Sequence, residues 1–400
     1  MLTIGLIREG KIPADNRVAL SPAQCKWINK SKPDIQVIVQ SSQDRCFSNA
    51  EYKKHGVEVV EDVSHCDILI GIKEVPVSQL IPKKTYVFFS HTKKKQSYNQ
   101  HLFKTLINNE NTLIDFECFE HEDGQRIIGF GFFAGIVGAH NGIMSYGDRT
   151  GLFKLGRVGE AKDYRQLIKS YFGLKLPNMK IAVTGSGRVA HGILEVMNMM
   201  DIQEVEPEDY LKHTYTYPVY VHLKGNTLYK NRLTNNYLRE NFHNNPEQYD
   251  CLFEPFCSET DVLMNGIYWD KNIPRLFTWD TARRNDFRIK SIADITDDAG
   301  GSVPCNLGDS TINDPVYGVD IATGNKTVPY IKSSIDVMAV GNLPNELPRD
   351  ASGYFGEQIL KYIVDNFSNP DSEVIKKATI LSKGQLTQRF QYLEDYAKGQ

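Results

Sequence analysis

A lysine and a histidine hold matching places in this 400-residue chain. Lys73 closes the apolar run DILIGIKEVP, and His91 closes the apolar run TYVFFSHT. Each places an ionisable side chain at the expected C-terminal end of a buried strand. In open α/β sheets the loops at those ends face a common crevice. Free lysine titrates near ~10.4, too high for a base at neutral pH, but burial and a neighbouring cation lower that value. Histidine needs little tuning to move protons near neutrality. Two positioned proton carriers suit oxidation of a C–N bond. The amine loses its proton, hydride leaves carbon, and the imine is hydrated and collapses.

A hydride acceptor is implied by a second pattern, IAVTGSGRVAHGILEVM. Gly185, Gly187 and Ala190 stand in the order G-x-G-x-x-A after a strand-like run and before a helix-like one. The first glycine allows a tight turn, the second lets backbone approach a pyrophosphate, and the small third residue lets helix pack on strand. The helix N-terminus, with Val189 in its first turn, offers N–H groups and a positive dipole end to phosphate. An acid about 20 residues on is expected to hold the ribose of NAD. Glu206, in IQEVEPEDY, is the expected one, as the residue that should close the second strand. Arg188, inside the turn, suits a 2′-phosphate or a diphosphate, so NAD and NADP both remain open.

Arg17 in ADNRVALSP and Arg126 in QRIIGFG suit bidentate recognition of carboxylates. Glu117, in IDFECF, is an acid in an apolar run, where it needs a cation or a substrate amine as partner. Glu74 adjoins Lys73, but neighbouring strand residues point to opposite faces, so adjacency does not pair them. Asp298, in ADITDDAGGS, is the best placed of its acids to reach a cofactor or an imine.

These residues need strand ends to hold them, and the first third of the chain alternates strand and helix patterns. LTIGLI, DIQVIVQ, DILIGIK, TYVFFS, TLIDFECF and RIIGFG read as strands; SPAQCKWINK and QSYNQHLFKTLINN read as helices. Repeated βα alternation predicts a mostly parallel sheet. FFAGIVGAHNGIMSYGDRTGL reads as a long small-residue helix joining two lobes. YPVYVHL, DVLMNGIYW and RIKSIADIT return as strands, and FGEQILKYIVDNF and SEVIKKATILS read as terminal helices folded back onto the first lobe. The expected fold is α/β, with two Rossmann-like doubly wound domains around a central cleft. The first is discontinuous: 1–138 with 350–400 as the substrate domain, and 139–349 as the dinucleotide domain.

The net charge of −3 gives no support for nucleic-acid binding, which normally needs a basic face. Seven scattered cysteines without a CxxC pair suggest reduced thiols in a cytoplasm and no metal centre. No apolar run approaches the ~18 residues that would span a bilayer, and no basic leader precedes LTIGLI.

IREGKIPADNRVALSP, GIKEVP and the strand ending in His91 resemble the N-terminal lobe shared by alanine dehydrogenase, the transhydrogenase nucleotide-binding subunit and lysine-forming saccharopine dehydrogenase. KKTYVFFSHT, LIDFE, GFFAGIVGA, VEPEDY, NGIYWDKNIPRLFT, ADITDDAGGS and NLPNELPRDAS resemble the lysine–2-oxoglutarate reductase group. That group includes the reductase half of bifunctional aminoadipic semialdehyde synthase. The resemblance implies a reversible reaction in which saccharopine, NAD(P)+ and water give lysine, 2-oxoglutarate and NAD(P)H. It implies Lys73 and His91 as the acid–base pair, and Arg17, Glu74, Glu117 and Arg126 as substrate or cofactor contacts. It also implies a separate glutamate-forming saccharopine dehydrogenase as a pathway partner, since the pattern covers the reductase part alone. One position departs from it: Gly341 stands where relatives carry an aspartate. An alanine dehydrogenase-like enzyme and a catalytically silent NAD(P)-binding module are the competing readings. Glu117 with Arg126 separates the saccharopine reading from the alanine one, because a tricarboxylate needs charged contacts that alanine does not, and a chain that turns over none of lysine, alanine or saccharopine would be the silent module.

Overall fold

The computed structural model describes residues 1–122, 124–369 and 371–398. The chain forms two compact units, Met1–Phe130 with Pro348–Gln400, and Gly131–Leu347. In chain order the first unit opens with β1 (Leu2–Leu6), β2 (Ile35–Gln40), β3 (Val59–Val60), β4 (Ile68–Ile70), β5 (Thr85–Phe88) and β6 (Thr112–Asp115). The second carries β7 (Lys180–Thr184), β8 (Gln203–Glu204), β9 (Val219–Leu223), β10 (Tyr229–Asn231), β11 (Tyr249–Cys251) and β12 (Val262–Asn265). It continues with β13 (Ser291–Asp294), β14 (Val316–Asp320), β15 (Lys326–Thr327) and β16 (Ser334–Met338), and β17 (Thr379–Ser382) and β18 (Gln385–Leu386) belong to the first unit.

Each unit is built on an eight-stranded sheet, as the α/β doubly wound reading expects. The order in the first is β18-β17-β6-β5-β4-β1-β2-β3. Neighbours from β6 to β3 are parallel, while β17 pairs antiparallel with β6 and β18. The chain winds outward from β1 to β3, then returns to β4 on the other side of β1. The crevice at such a reversal lies beyond the C-terminal strand ends. The second sheet runs β15-β14-β16-β13-β12-β7-β9-β8 and reverses between β7 and β12. Its central strands, KIAVT, VYVHL and VLMN, are buried throughout, which is why they read as unbroken apolar runs.

Local chemistry explains the elements near the sites. Ser21 caps the helix Pro22–Ser31 in a reciprocal box with Gln24, and Pro22 supplies its first-turn φ. The helix Pro348–Tyr362 docks within the first unit. Ser352 Oγ accepts from Val18 N at 2.9 Å, and the Gln358 amide exchanges two hydrogen bonds with the Gly129 backbone. Phe355 stacks on Phe130 at 4.3 Å and also meets Phe89 and Phe116. In the second unit, helices Gly131–Thr150 and Arg188–Met199 touch backbone to backbone. A Cβ on Gly135 would lie 2.0 Å from Val189 O, and one on Gly192 would lie 2.0 Å from Phe132 O.

Several expectations need correction. RIIGFG is no strand: Ile127 and Ile128 are buried, but the segment makes only a bridge between Arg126 and Glu120. SEVIKKATILS divides into a short helix, Glu373–Ala378, and β17, because Thr379–Ser382 completes the ladder beside β6. FGEQILKYIVDNF breaks at Ile363, between the helices Pro348–Tyr362 and Val364–Phe367. Glu206 does not close a strand beside β7. The short β8 ends at Glu204 on the sheet edge, Glu206 is the N-cap of the helix Pro207–Lys212, and β9 takes the place next to β7.

Candidate active site

In the first unit, Lys73 lies three residues beyond β4 and His91 three residues beyond β5. Neither belongs to a strand, so both side chains are presented by loops at the C-terminal edge. His91 has φ 52°, a left-handed conformation that non-glycine residues adopt seldom and that here turns the ring back over Phe89. Its Nδ1 meets Glu74 Oε1 at 2.7 Å. The other Glu74 oxygen accepts from Lys11 Nζ at 2.7 Å, and Asn99 Nδ2 donates to Oε1 at 2.9 Å. Burial works to raise the Glu74 carboxyl, but the His91 hydrogen bond and charge, with Lys11 and Asn99, outweigh it and hold the group far below the usual range. Glu74 is therefore a carboxylate, and it fixes His91 by accepting from Nδ1–H. Nε2 is left to carry the exchangeable lone pair.

Lys73 is half-buried, and its ammonium is pushed below the ordinary lysine range by burial first and the Arg17 cation second. Asp15 and Glu74 oppose that shift. Arg17 is buried, forms a two-point pair with Asp15 (2.9 and 2.6 Å), and lies 4.2 Å above the Phe130 ring. Burial raises the Asp15 carboxyl, but Arg17 prevails and holds it at about 2. Arg17 is thus rigid, charged and close enough to tune Lys73. Glu117 sits not in a strand but in a 3-10 turn following β6, where its Oε1 accepts from Arg126 Nη2 at 3.1 Å. Of the substrate-side residues expected from sequence, the fold joins Glu74 with His91, Glu117 with Arg126, and Arg17 with Lys73 through its field.

Glu9 was not singled out by sequence. Its carboxyl accepts from the backbone N–H groups of Ile72 (2.6 Å) and Lys73 (2.8 Å), and so fixes the loop that carries the lysine. Burial pushes Glu9 up to about 8 despite those two donors. The native state therefore keeps a proton that the unfolded chain releases near 4.5. Between those values the native state binds more protons, so this contribution to stability is full below 4.5 and disappears as pH rises through about 8. Glu9→Gln, which holds its hydrogen permanently, should flatten the fall of the melting temperature with pH across that window. Parallel curves for the two proteins would show that Glu9 does not hold the proton.

In the second unit the glycine turn joins β7 to the helix Arg188–Met199. Gly185 has φ +107°, and a Cβ there would lie 2.5 Å from Gly266 O, so only glycine fits. Gly187 differs: a Cβ there would meet nothing within 4 Å, which leaves the turn open in front of the helix N-terminus. Val189 packs its side chain against Gly131 and Gly266, and Ala190 is fully buried. This cradle fits a pyrophosphate: its close side needs glycine and its outer side is open. Asp298 lies in the loop after β13, where its carbonyl accepts from Gly301 N at 2.9 Å. Asp294, just before it, is tied into a buried network with Asn265, Thr296 and Asn306, and is structural. At Gly341 a Cβ would sit 3.0 Å from Asp309 Oδ2 and 3.1 Å from Asp297 Oδ2. Two carboxylates already hold the space beside this position, so an aspartate at 341 would add a third. Among the described residues no cluster of His, Cys, Asp and Glu is arranged for a metal, and no helix is long and apolar enough to cross a membrane.

Residues 5–137 match the family model "Alanine dehydrogenase/PNT, N-terminal domain". Over 98% of its length the chain is 29% identical to mouse mitochondrial alpha-aminoadipic semialdehyde synthase, covering 47% of that protein. It therefore spans about half the length of the curated relatives of that kind. It is 24% identical to the NAD(+), L-lysine-forming saccharopine dehydrogenase of Candida glabrata, with 90% of each chain covered. Among solved structures, an L-alanine dehydrogenase superposes with a TM-score of 0.66 at 15% identity, over 99% of this chain and all (100%) of that one. The transhydrogenase of Sinorhizobium meliloti gives 0.56 at 13% identity, with 96% and 100% covered. These superpositions establish the fold.

Proposed function

We propose that this chain is a lysine-forming saccharopine dehydrogenase, or lysine–2-oxoglutarate reductase. It would interconvert saccharopine, NAD(P)+ and water with lysine, 2-oxoglutarate and NAD(P)H. The observation that carries the reading is the pairing at the first sheet's reversal. A lysine with a lowered pKa and a histidine oriented by an ionised glutamate are offered from loops three residues beyond adjacent strands. Similarity over nearly the whole chain to enzymes of both names supports it.

Each side chain has a definable task. Lys73, depressed by burial and by Arg17, exchanges a proton with the secondary amine, whose nitrogen must be neutral before hydride leaves the adjacent carbon. His91, held at Nδ1 by Glu74, uses Nε2 to take a proton from water as it adds to the imine, then moves it as the carbinolamine collapses. Arg17 and Arg126 meet substrate carboxylates, and Glu117 orients Arg126. In the second unit Gly185, Gly187, Arg188 and Val189 would hold the dinucleotide diphosphate, and Asp298, in the loop after β13, is the acid assigned to reach the cofactor or the imine. The nicotinamide, when bound, supplies the hydride acceptor.

The direct test is loss of reduced-nicotinamide absorbance with purified protein. Oxidation that requires both lysine and 2-oxoglutarate supports the proposal; oxidation only with pyruvate and ammonia replaces it with an alanine dehydrogenase activity. Absence of turnover with either pair, despite nucleotide binding, makes the chain a silent binding module. Within the leading reading, Arg126→Ala should raise KM for 2-oxoglutarate about tenfold or more, the scale of one charge-assisted contact, with a smaller change in kcat. An effect on melting temperature alone would reduce the Glu117–Arg126 pair to a structural one.

A further inference from the structure

The strand order of the second unit moves the ribose-reading position. In the dinucleotide fold, the residue that meets the adenosine ribose stands at the C-terminal end of the strand beside the glycine-turn strand. Here that neighbour is β9, paired in parallel with β7 so that Thr184 is level with Leu223. Lys224 is therefore level with Gly185. Two contacts bind this strand end to the turn: Gly185 N donates to Leu223 O at 3.1 Å, and His222 Nε2 meets Gly185 O at 2.7 Å. Lys224 is exposed, and its charge reaches His222, opposed there by that of Glu204 from the neighbouring edge strand.

No acid follows His222 through Thr227. Glu204 and Glu206 belong to the sheet edge, one strand farther out, about 10 Å from β7 at the usual strand spacing. Glu204 is also engaged there, accepting from Tyr220 OH at 3.0 Å. A ribose 2′-hydroxyl calls for an acceptor at the strand end, whereas a 2′-phosphate calls for a cation. We propose that Lys224 binds the adenosine 2′-phosphate and makes the chain selective for NADP(H). The proposal rests on the dinucleotide reading of the glycine turn, and it displaces Glu206 as the ribose residue.

The experiment is direct titration of the full chain with NADPH and with NADH, followed by nicotinamide fluorescence, for the unsubstituted protein, Lys224→Ala and Lys224→Glu. The unsubstituted protein should bind NADPH at least about tenfold more tightly than NADH, the strength of one charge-assisted contact. Lys224→Ala should remove most of that ratio by weakening NADPH alone, and Lys224→Glu should reverse it. Equal binding of both nucleotides, preference for NADH, or a ratio unmoved by Lys224→Ala overturns the proposal and leaves the dinucleotide reading standing. Binding of neither nucleotide overturns both.

Discussion

Lys73→Met is expected to lower turnover by about a hundredfold or more, the usual scale of losing a positioned acid–base group. Methionine keeps the length and apolar stem of lysine but removes its proton. The loop should keep its shape, because Glu9 holds it through the backbone N–H groups of Ile72 and Lys73 and not through the side chain. Nucleotide affinity and melting temperature should then change little, while kcat falls and the pH profile loses one limb. The lost limb separates a proton carrier from a residue that only positions substrate. Unchanged turnover would remove Lys73 from the mechanism.

The second large effect is on packing. Gly192→Ala places a methyl 2.0 Å from Phe132 O and close to the backbone of Gly135 and Ile136, where no side chain can yield. Overpacking of this kind costs about 3 kcal/mol, which lowers the melting temperature of a domain this size by roughly 6–12 °C. Gly187→Ala is the control. Its methyl enters open space at an ordinary negative φ, so stability should hold while dinucleotide affinity drops. Two glycines five residues apart are thus predicted to fail in opposite ways, one in thermal unfolding and one in nucleotide titration. Equal melting temperatures for both variants would mean that the helices can separate without cost.

Much of the arrangement was readable in sequence. Buried parallel strands announce themselves as apolar runs, and the strand–turn–helix at 180–199 has its glycines where the backbone demands them. The placement of Lys73 and His91 just beyond β4 and β5 was legible because an ionisable residue directly after such a run is conspicuous. Glu9 was not: in IREGK it looks like any surface acid, and only the approach of the 71–73 loop makes it a half-buried acceptor. Glu206 misled because spacing along the chain does not encode strand order. After β8 the chain adds another strand, β9, between it and β7, and that choice depends on long-range packing. In SEVIKKATILS the helical period runs straight into Thr379–Ser382, and only the unpaired edge of β6 converts those residues to strand.

That edge has a consequence for biosynthesis. The partner of Ile114 in β6 is Thr379, so a ribosome must add more than two hundred residues after β6 before β17 exists. The whole of Gly131–Leu347, a compact unit of its own, is synthesised in that interval. Meanwhile the nascent first unit exposes a bare strand edge and the face that the helix Pro348–Tyr362 will cover. An uncovered edge of this kind pairs readily with other chains. Slow or interrupted translation late in the message should therefore leave a product whose first unit is aggregation-prone, even though every proposed acid–base and substrate residue has already been made.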